Sequence, residues 1–358
     1  MGRLWYLRMR FVMARMPRRS WRRWLVAVAG VVVVLSATIL RTDTSGSSPL
    51  RLAHAVGLTP ASRLAPTASN KGHRLPQNPS VLVAATTTGT PPTVRAAAAF
   101  LFDPTRGLIF YQKDADVEHS MASTTKVMTL LLAVERGGPD QIVTIGPDAA
   151  ALVNSDNSHM GVSAGEEFSL SDLLYGLVLP SGNDVAVAIA DAISGNVPSF
   201  VALMNQRAQQ LGLTHTHYVS PDGLDDANIT SAHDLALLMS TVMRYPEAVR
   251  VMSTLHYTIP RTANHKAYSL WSGNDLLSGA RSPYPGALGK PGFTYAARYC
   301  QAFAALRHGH VMVGAVLGDW SWKDRIADMR ALLDWGFTQV GIPPAPAPVP
   351  WAPISPNA

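Results

Sequence analysis

Proline and small polar residues fill both flanks of this 358-residue chain and confine any packed core to residues 95–340. Residues 41–94 are rich in Ser, Thr, Pro, Ala and Gly, with no sustained apolar period, so they read as a flexible linker. Residues 341–358 read IPPAPAPVPWAPISPNA after Gly341, a run in which proline forbids a helix or a central strand, so a disordered tail is expected. One domain of ordinary size remains, and with 47% apolar residues it has material for a sizeable core.

Ahead of the linker, residues 24–40 (WLVAVAGVVVVLSATIL) carry no charge and approach the length of a membrane span. Eight arginines and no acid precede them, so residues 1–23 are expected to stay in the cytoplasm and everything after residue 40 to be translocated. An uncleaved anchor is the favoured reading. A cleaved signal peptide is the alternative, although no clear A-x-A site follows the apolar run. The formal charge of +6 divides accordingly: +8 on residues 1–24, +5 on residues 25–95 and −7 from residue 96 onward. A folded unit of net negative charge argues against nucleic acid as a partner. The single cysteine, Cys300, excludes an internal disulfide and any C-x-x-C site. The tight histidine pairs, His215/His217 and His308/His310, lie in turn segments without a carboxylate at ligand spacing, so no metal site is expected.

Within the domain, residues 97–103 and 108–112 are apolar and joined by Asp103-Pro-Thr-Arg-Gly107, a hairpin signal. Helical periodicity marks residues 123–136, 170–179, 186–194, 198–211, 231–244 and 322–337. Residues 294–306 and 310–317 read as paired strands around Arg307-His-Gly309. Strands at both ends with helices between predict an α+β fold: an antiparallel sheet flanked by helices, with a helical subdomain inserted.

Three short motifs carry the chemistry. Ser123-Thr-Thr-Lys126 places a hydroxyl and an amine on one helix face, and a serine needs such a neighbouring base to become a nucleophile. Lysine serves as a base only when burial or another cation lowers its pKa. Ser181-Gly-Asn183 lies in a turn after Pro180, between two apolar helices. Lys290-Pro-Gly-Phe-Thr294 leads into the late strands, where a lysine beside a strand edge would face a peptide. Taken singly, each motif has an ordinary reading as a helix cap, a turn or a loop.

In this order they resemble the S-x-x-K, S-x-N and K-T-G set of the penicillin-recognising serine enzymes. The surrounding segments are similar to the serine-type D-Ala-D-Ala carboxypeptidases, the low-molecular-mass penicillin-binding proteins of peptidase family S11. The similar stretches are ASTTKVMTLLLAVE (122–135), DLLYGLVLPSGNDVAVAIA (172–190), SPDGLDDANITSAHDLALL (220–238), NDLL (274–277), GKPGFTYAARYC (289–300) and RIADMRALLDWGF (325–337). The resemblance implies a β-lactamase/transpeptidase-like fold and an enzyme that trims the terminal D-Ala from peptidoglycan stem pentapeptides. β-Lactam antibiotics are its implied inhibitors, and no cofactor is implied. It also implies that Ser123 is acylated, Lys126 is its base, Ser181 relays a proton, and Asn183 holds substrate and lysine. Lys290 would attract the terminal carboxylate. The amides of Ser123 and Phe293 would form the oxyanion hole beside Gly292, and Thr294 would offer a nearby hydroxyl.

Two departures stand out. Pro291 replaces the Thr or Ser of K-T-G, removing a hydroxyl and a backbone N–H. Arg298 stands where the family usually has glycine, and solvent is its expected surrounding. Alternatives stay open: a D,D-endopeptidase, or a catalytically weak peptidoglycan- or penicillin-binding protein disabled by Pro291. A β-lactamase is disfavoured, since no E-x-x-L-N segment lies between Asn183 and Lys290.

Overall fold

The computed structural model describes residues 81–154, 156–277 and 284–347. The expected cytoplasmic segment 1–23, the anchor 24–40, most of the linker and the end of the tail lie outside them. The first described elements are β1 (Val83–Ala84), β2 (Ala98–Asp103), β3 (Leu108–Lys113) and β4 (His119–Ser120). A 3-10 turn (Ala122–Thr125) leads into α1 (Lys126–Arg136), then β5 (Ile142–Thr144), α2 (Pro147–Ala151), β6 (Glu167–Ser169) and α3 (Leu170–Val178). Next come α4 (Asn183–Ser194), α5 (Val197–Gln210), β7 (Ile229–Thr230), α6 (Ala232–Val242), α7 (Pro246–Met252), β8 (His256–Ile259) and β9 (Tyr268–Trp271). The chain closes with β10 (Ala287–Thr294), β11 (Arg298–Arg307), β12 (His310–Asp319) and α8 (Trp322–Gln339).

One sheet has the order β1-β3-β2-β12-β11-β10, so strands from both ends of the domain build it while the helices are inserted between β3 and β10. Period-two alternation sorts its side chains into two cores. Ala98, Phe100, Phe102, Val313 and Ala315 pack against the inserted helices. Ala99, Leu101, Phe303, Met312 and Val316 pack against Leu332, Leu333 and Phe337 of α8. Strand β2 is buried on both faces, which is why it reads as a continuous apolar run. Three helices begin at a serine N-cap: Ser169, Ser231 and Ser321 accept from the amides of Asp172, Asp234 and Asp324. Asn196 does the same for α5, accepting from Ser199 N.

Several expectations need correction. The sheet is mixed, because β1 pairs in parallel with β3. Residues 81–94, assigned to the linker, are bound to the domain: the Ala85 amide donates to Ile109 O, Thr88 and Gln339 exchange two hydrogen bonds, and Val94 is buried. The tail likewise begins bound. Ile342 and Ala345 are buried, and the carbonyls of Pro343 and Pro346 accept from Arg307 and Arg330. Residues 294–306 are not one strand. β10 ends at Thr294 and β11 starts at Arg298, whose φ of 58° turns the chain. Two glycines, a proline and a lysine hid β10 from a propensity reading, and the proline sits on an edge strand. Helix α4 starts at Asn183, three residues earlier than expected. Ser123 lies in the 3-10 turn and not in the α-helix.

Candidate active site

The turn that carries Ser123 is held from both sides. Met121 N donates to Asn228 O, while Thr124 returns its hydroxyl to Met121 O at 2.6 Å. Ala122 adopts φ 48°, which folds the chain back before Ser123. Lys126 opens α1 and is wholly buried. Its Nζ donates to Asn183 Oδ1 and to the Asp222 carbonyl, both at 2.6 Å, and lies 3.1 Å from Ser123 Oγ. Burial lowers the amine from 10.5 to about 8, with Asp222 and Asp184 opposing the shift.

Ser181 follows α3 in the left-handed region, φ 63°, a costly conformation for a residue with a side chain. The Gly182 amide donates to Gly176 O, and the Asn183 amide to Ser158 O. Asp184, fully buried, accepts from the amides of Met160, Gly161 and Val162, which ties the loop carrying Ser158 to the start of α4. The edge strand β10 brings Lys290 to the same place. Lys290 is 1% exposed, and its Nζ donates to Ser181 Oγ at 2.8 Å and to Pro291 O at 3.0 Å. Burial, then the charges of Lys126 and Arg325, hold its pKa well below the ordinary range. A bound carboxylate would reverse that balance by offering an opposite charge.

A cleft of about 620 Å³ opens between these elements. Ser123, Ser158, Ser181, Pro291, Gly292 and Phe293 line one part, and Trp271, Asp275, Tyr299, Trp322 and Arg325 another. Six of the eight expected site residues gather here: Lys126 bonds Ser123 and Asn183, Lys290 separately bonds Ser181, and Gly292 packs against the backbone of Ser123. Phe293 lines the cleft and is 46% exposed. Thr294 is placed differently. Its hydroxyl donates to Asp226 Oδ1 and accepts from Ala297 N, so it fastens the β10–β11 turn. Arg298 is half-buried with its guanidinium 3.3 Å from the Trp320 ring centroid, not in open solvent.

Motif reading missed three contributors. The Asp222 carbonyl reaches Lys126 from a loop fastened by Ser220, Asp222 and Asn228: Ser220 Oγ donates to Asp222 Oδ1, and Asn228 Nδ2 to Ser220 Oγ. Gly223 lets that loop close in, at φ 81°, since a Cβ there would lie 2.0 Å from Ala122 O. The run Ser220-Pro-Asp-Gly223 is a turn signal that could have marked it. Arg325, on the first turns of α8, is buried, pairs with Asp275 at 2.7 Å, and presents a cation to the cleft beside Pro291. Only its place in an otherwise amphipathic helix hinted at that.

Chemically, this is a hydroxyl beside a desolvated amine, a second hydroxyl bonded to a second amine, and an open strand edge: the parts of an acyl-transfer site. The sequence profile of D-alanyl-D-alanine carboxypeptidases, peptidase family S11, matches residues 85–321. The chain belongs to this family. The D-alanyl-D-alanine carboxypeptidase of Streptomyces sp. strain K15 is 34% identical over 262 residues, 69% of this chain and 89% of that protein. The D-alanyl-D-alanine carboxypeptidase DacA of Escherichia coli K12 is 33% identical over 69% of this chain. The chain spans 62% of that longer relative. The crystal structure of the Streptomyces K15 DD-transpeptidase superposes with a TM-score of 0.65 at 33% identity, covering 70% of this chain and all of that one. The S11 family is one of serine D-Ala-D-Ala carboxypeptidases, and the mixed sheet with its inserted helices is the DD-transpeptidase fold.

Proposed function

We propose that this family member is a serine-type D-alanyl-D-alanine carboxypeptidase acting on peptidoglycan stem peptides and acylated by β-lactams. The observation that carries the reading is the environment of Lys126. A neutral amine has two N–H donors and one lone pair, whereas an ammonium has three donors. The two short contacts, to Asn183 Oδ1 and Asp222 O, are pure acceptors and take both N–H groups. The lone pair is then left for the Ser123 hydroxyl, and the lowered pKa makes the neutral form accessible near pH 8.

Ser123 Oγ attacks the carbonyl of the penultimate residue while its proton passes to Lys126. The amides of Ser123 and Phe293 receive the oxyanion, each such donor contributing about 3 kcal/mol to comparable reactions. Ser181, bonded to Lys290, delivers a proton to the departing D-alanine nitrogen. Lys290 and Arg325 attract its carboxylate, and water hydrolyses the acyl-enzyme. Pro291 supplies no hydroxyl to that carboxylate, which supports a second reading of slow turnover and weak penicillin capture.

The basic segment 1–23 and the apolar segment 24–40 support a single-pass location with the enzyme on the outer side of the membrane. Labelling with a fluorescent penicillin, compared between the native protein and Ser123→Ala, tests the assignment. Labelling that survives in the variant overturns the nucleophile. Release of D-alanine from a pentapeptide separates enzyme from slow binder.

A further inference from the structure

Large exposed aliphatic side chains, such as Val117, Ile142, Val219 and Leu255, belong to separate elements and loops of the described surface. The aromatic ones gather. Trp271, Phe293, Tyr295, Trp320 and Trp322 are 61%, 46%, 95%, 69% and 39% exposed. Four of them come from two neighbouring segments, the end of β10 with its turn and the β12–α8 junction, which β11 joins through the pairings Phe293↔Tyr299 and Tyr299↔Asp319. The rings run in series: Phe293 meets Tyr295 at 5.7 Å and Tyr299 at 4.5 Å. Arg298 covers one face of Trp320, and Lys323 lies 5.6 Å from the Trp322 centroid. Trp271, Phe293, Tyr299 and Trp322 also line the cleft, so this surface continues the site outward.

Single exposed rings are ordinary, but a run of them along a cleft mouth marks a binding surface. Trp320 is fixed by a guanidinium on one side and mostly open to water, a rigid platform with one free face. Planar rings flanked by hydrogen-bond-donating cations suit a ligand that has flat C–H faces and oxygen-rich edges. We propose that the Tyr295–Trp320 rim is a saccharide subsite, stacking the N-acetylated pyranose rings of the glycan to which the stem peptide is attached, with Arg298 and Lys323 as donors to its hydroxyl and acetamido oxygens. This rests on the acyl-transfer reading above and names the part of the substrate beyond the scissile bond. A bilayer is the poorer occupant: the same rim is the mouth of the cleft, and inserting it would close the site.

Trp320→Ala and Tyr295→Ala in the full chain provide the test, since neither residue lines the cleft. The substrates are a free pentapeptide ending in D-Ala-D-Ala and the same peptide on an N-acetylglucosaminyl–N-acetylmuramyl disaccharide. The expected result is a roughly threefold to tenfold loss of kcat/KM per ring on the glycosylated peptide, the value of an aromatic stacking contact. Hydrolysis of the free peptide and penicillin labelling should be unchanged. Equal loss on both substrates, or none on either, overturns the subsite. So does wild-type co-sedimentation with phosphatidylglycerol vesicles that the variants lose while sugar selectivity is absent. If the native protein releases no D-alanine from either peptide, the carboxypeptidase reading fails separately. The subsite is then judged by tryptophan fluorescence titrated with the peptide-free disaccharide: a saturable change absent in Trp320→Ala supports it, and no change overturns it.

Discussion

Gly292 lies so close to Ser123 that a Cβ built on the glycine would come within 3.0 Å of the serine amide nitrogen. It would also meet Thr124 N at 2.9 Å and Met121 O at 3.1 Å, all backbone atoms that cannot swing aside. The glycine is what lets the edge strand and the Ser123 turn come together, where the proposed oxyanion pocket would lie. Gly292→Ala should push β10 away and lower the acylation rate by a fluorescent penicillin by about a hundredfold or more, as loss of one such donor does. Circular dichroism should show the fold intact.

Lys126 sets a pH dependence whose sign follows from burial. The acylation rate should climb through pH about 8, where the buried amine loses its proton, and not near its ordinary 10.5. Stability has its own window. Below about pH 8 the amine is protonated in both states. Between about 8 and 10.5 the unfolded chain binds a proton that the folded chain does not, so folding gains as pH rises. Denaturant melts of the native protein and Lys126→Met, compared across that window, should show a smaller gain in the variant, where buried Lys290 still contributes.

Pro291 faces the cleft where a hydroxyl would serve a carboxylate. Pro291→Thr should raise the second-order rate of penicillin acylation by roughly fivefold to a hundredfold, the effect of about 1–3 kcal/mol for supplying a missing donor. An unchanged rate would mean that Lys290 and Arg325 already satisfy the anion.

Arg325 and Asp275 form a buried pair, their side chains 7% and 3% exposed. Arg325→Gln removes the cation of this buried pair and should cost about 3–5 kcal/mol in chemical denaturation. Adding Asp275→Asn should restore most of that stability. The double variant should still show a raised KM for D-Ala-D-Ala peptides with a smaller change in kcat, which separates carboxylate binding from structural support.

The legible part of this protein was local. The β2–β3 hairpin, the helix periods and the S-x-x-K spacing are written in consecutive residues, and the structure bonds Lys126 to Ser123 and Asn183, and Lys290 to Ser181, with both serines lining one cleft. What escaped was set by tertiary contact. β10 has a poor strand composition and exists because β11 pairs with it along eight residues. Residues 81–94 look featureless, yet β3 offers them an edge and Gln339 a partner. The Asp222 carbonyl is a backbone atom 96 positions from Lys126, invisible to any reading of side-chain motifs.

A strand that recognises peptides by pairing must keep an unsatisfied edge in water, and such an edge invites any extended chain, including another copy of itself. β10 occupies that position at the end of the sheet. Pro291 removes one donor from it, and glycines at 289 and 292 weaken its tendency to template a partner. On the proposed function, the residue that departs from the K-T-G pattern would set ligand capture against self-association. Pro291→Thr should trade one for the other, gaining in acylation and losing in resistance to self-association at high concentration.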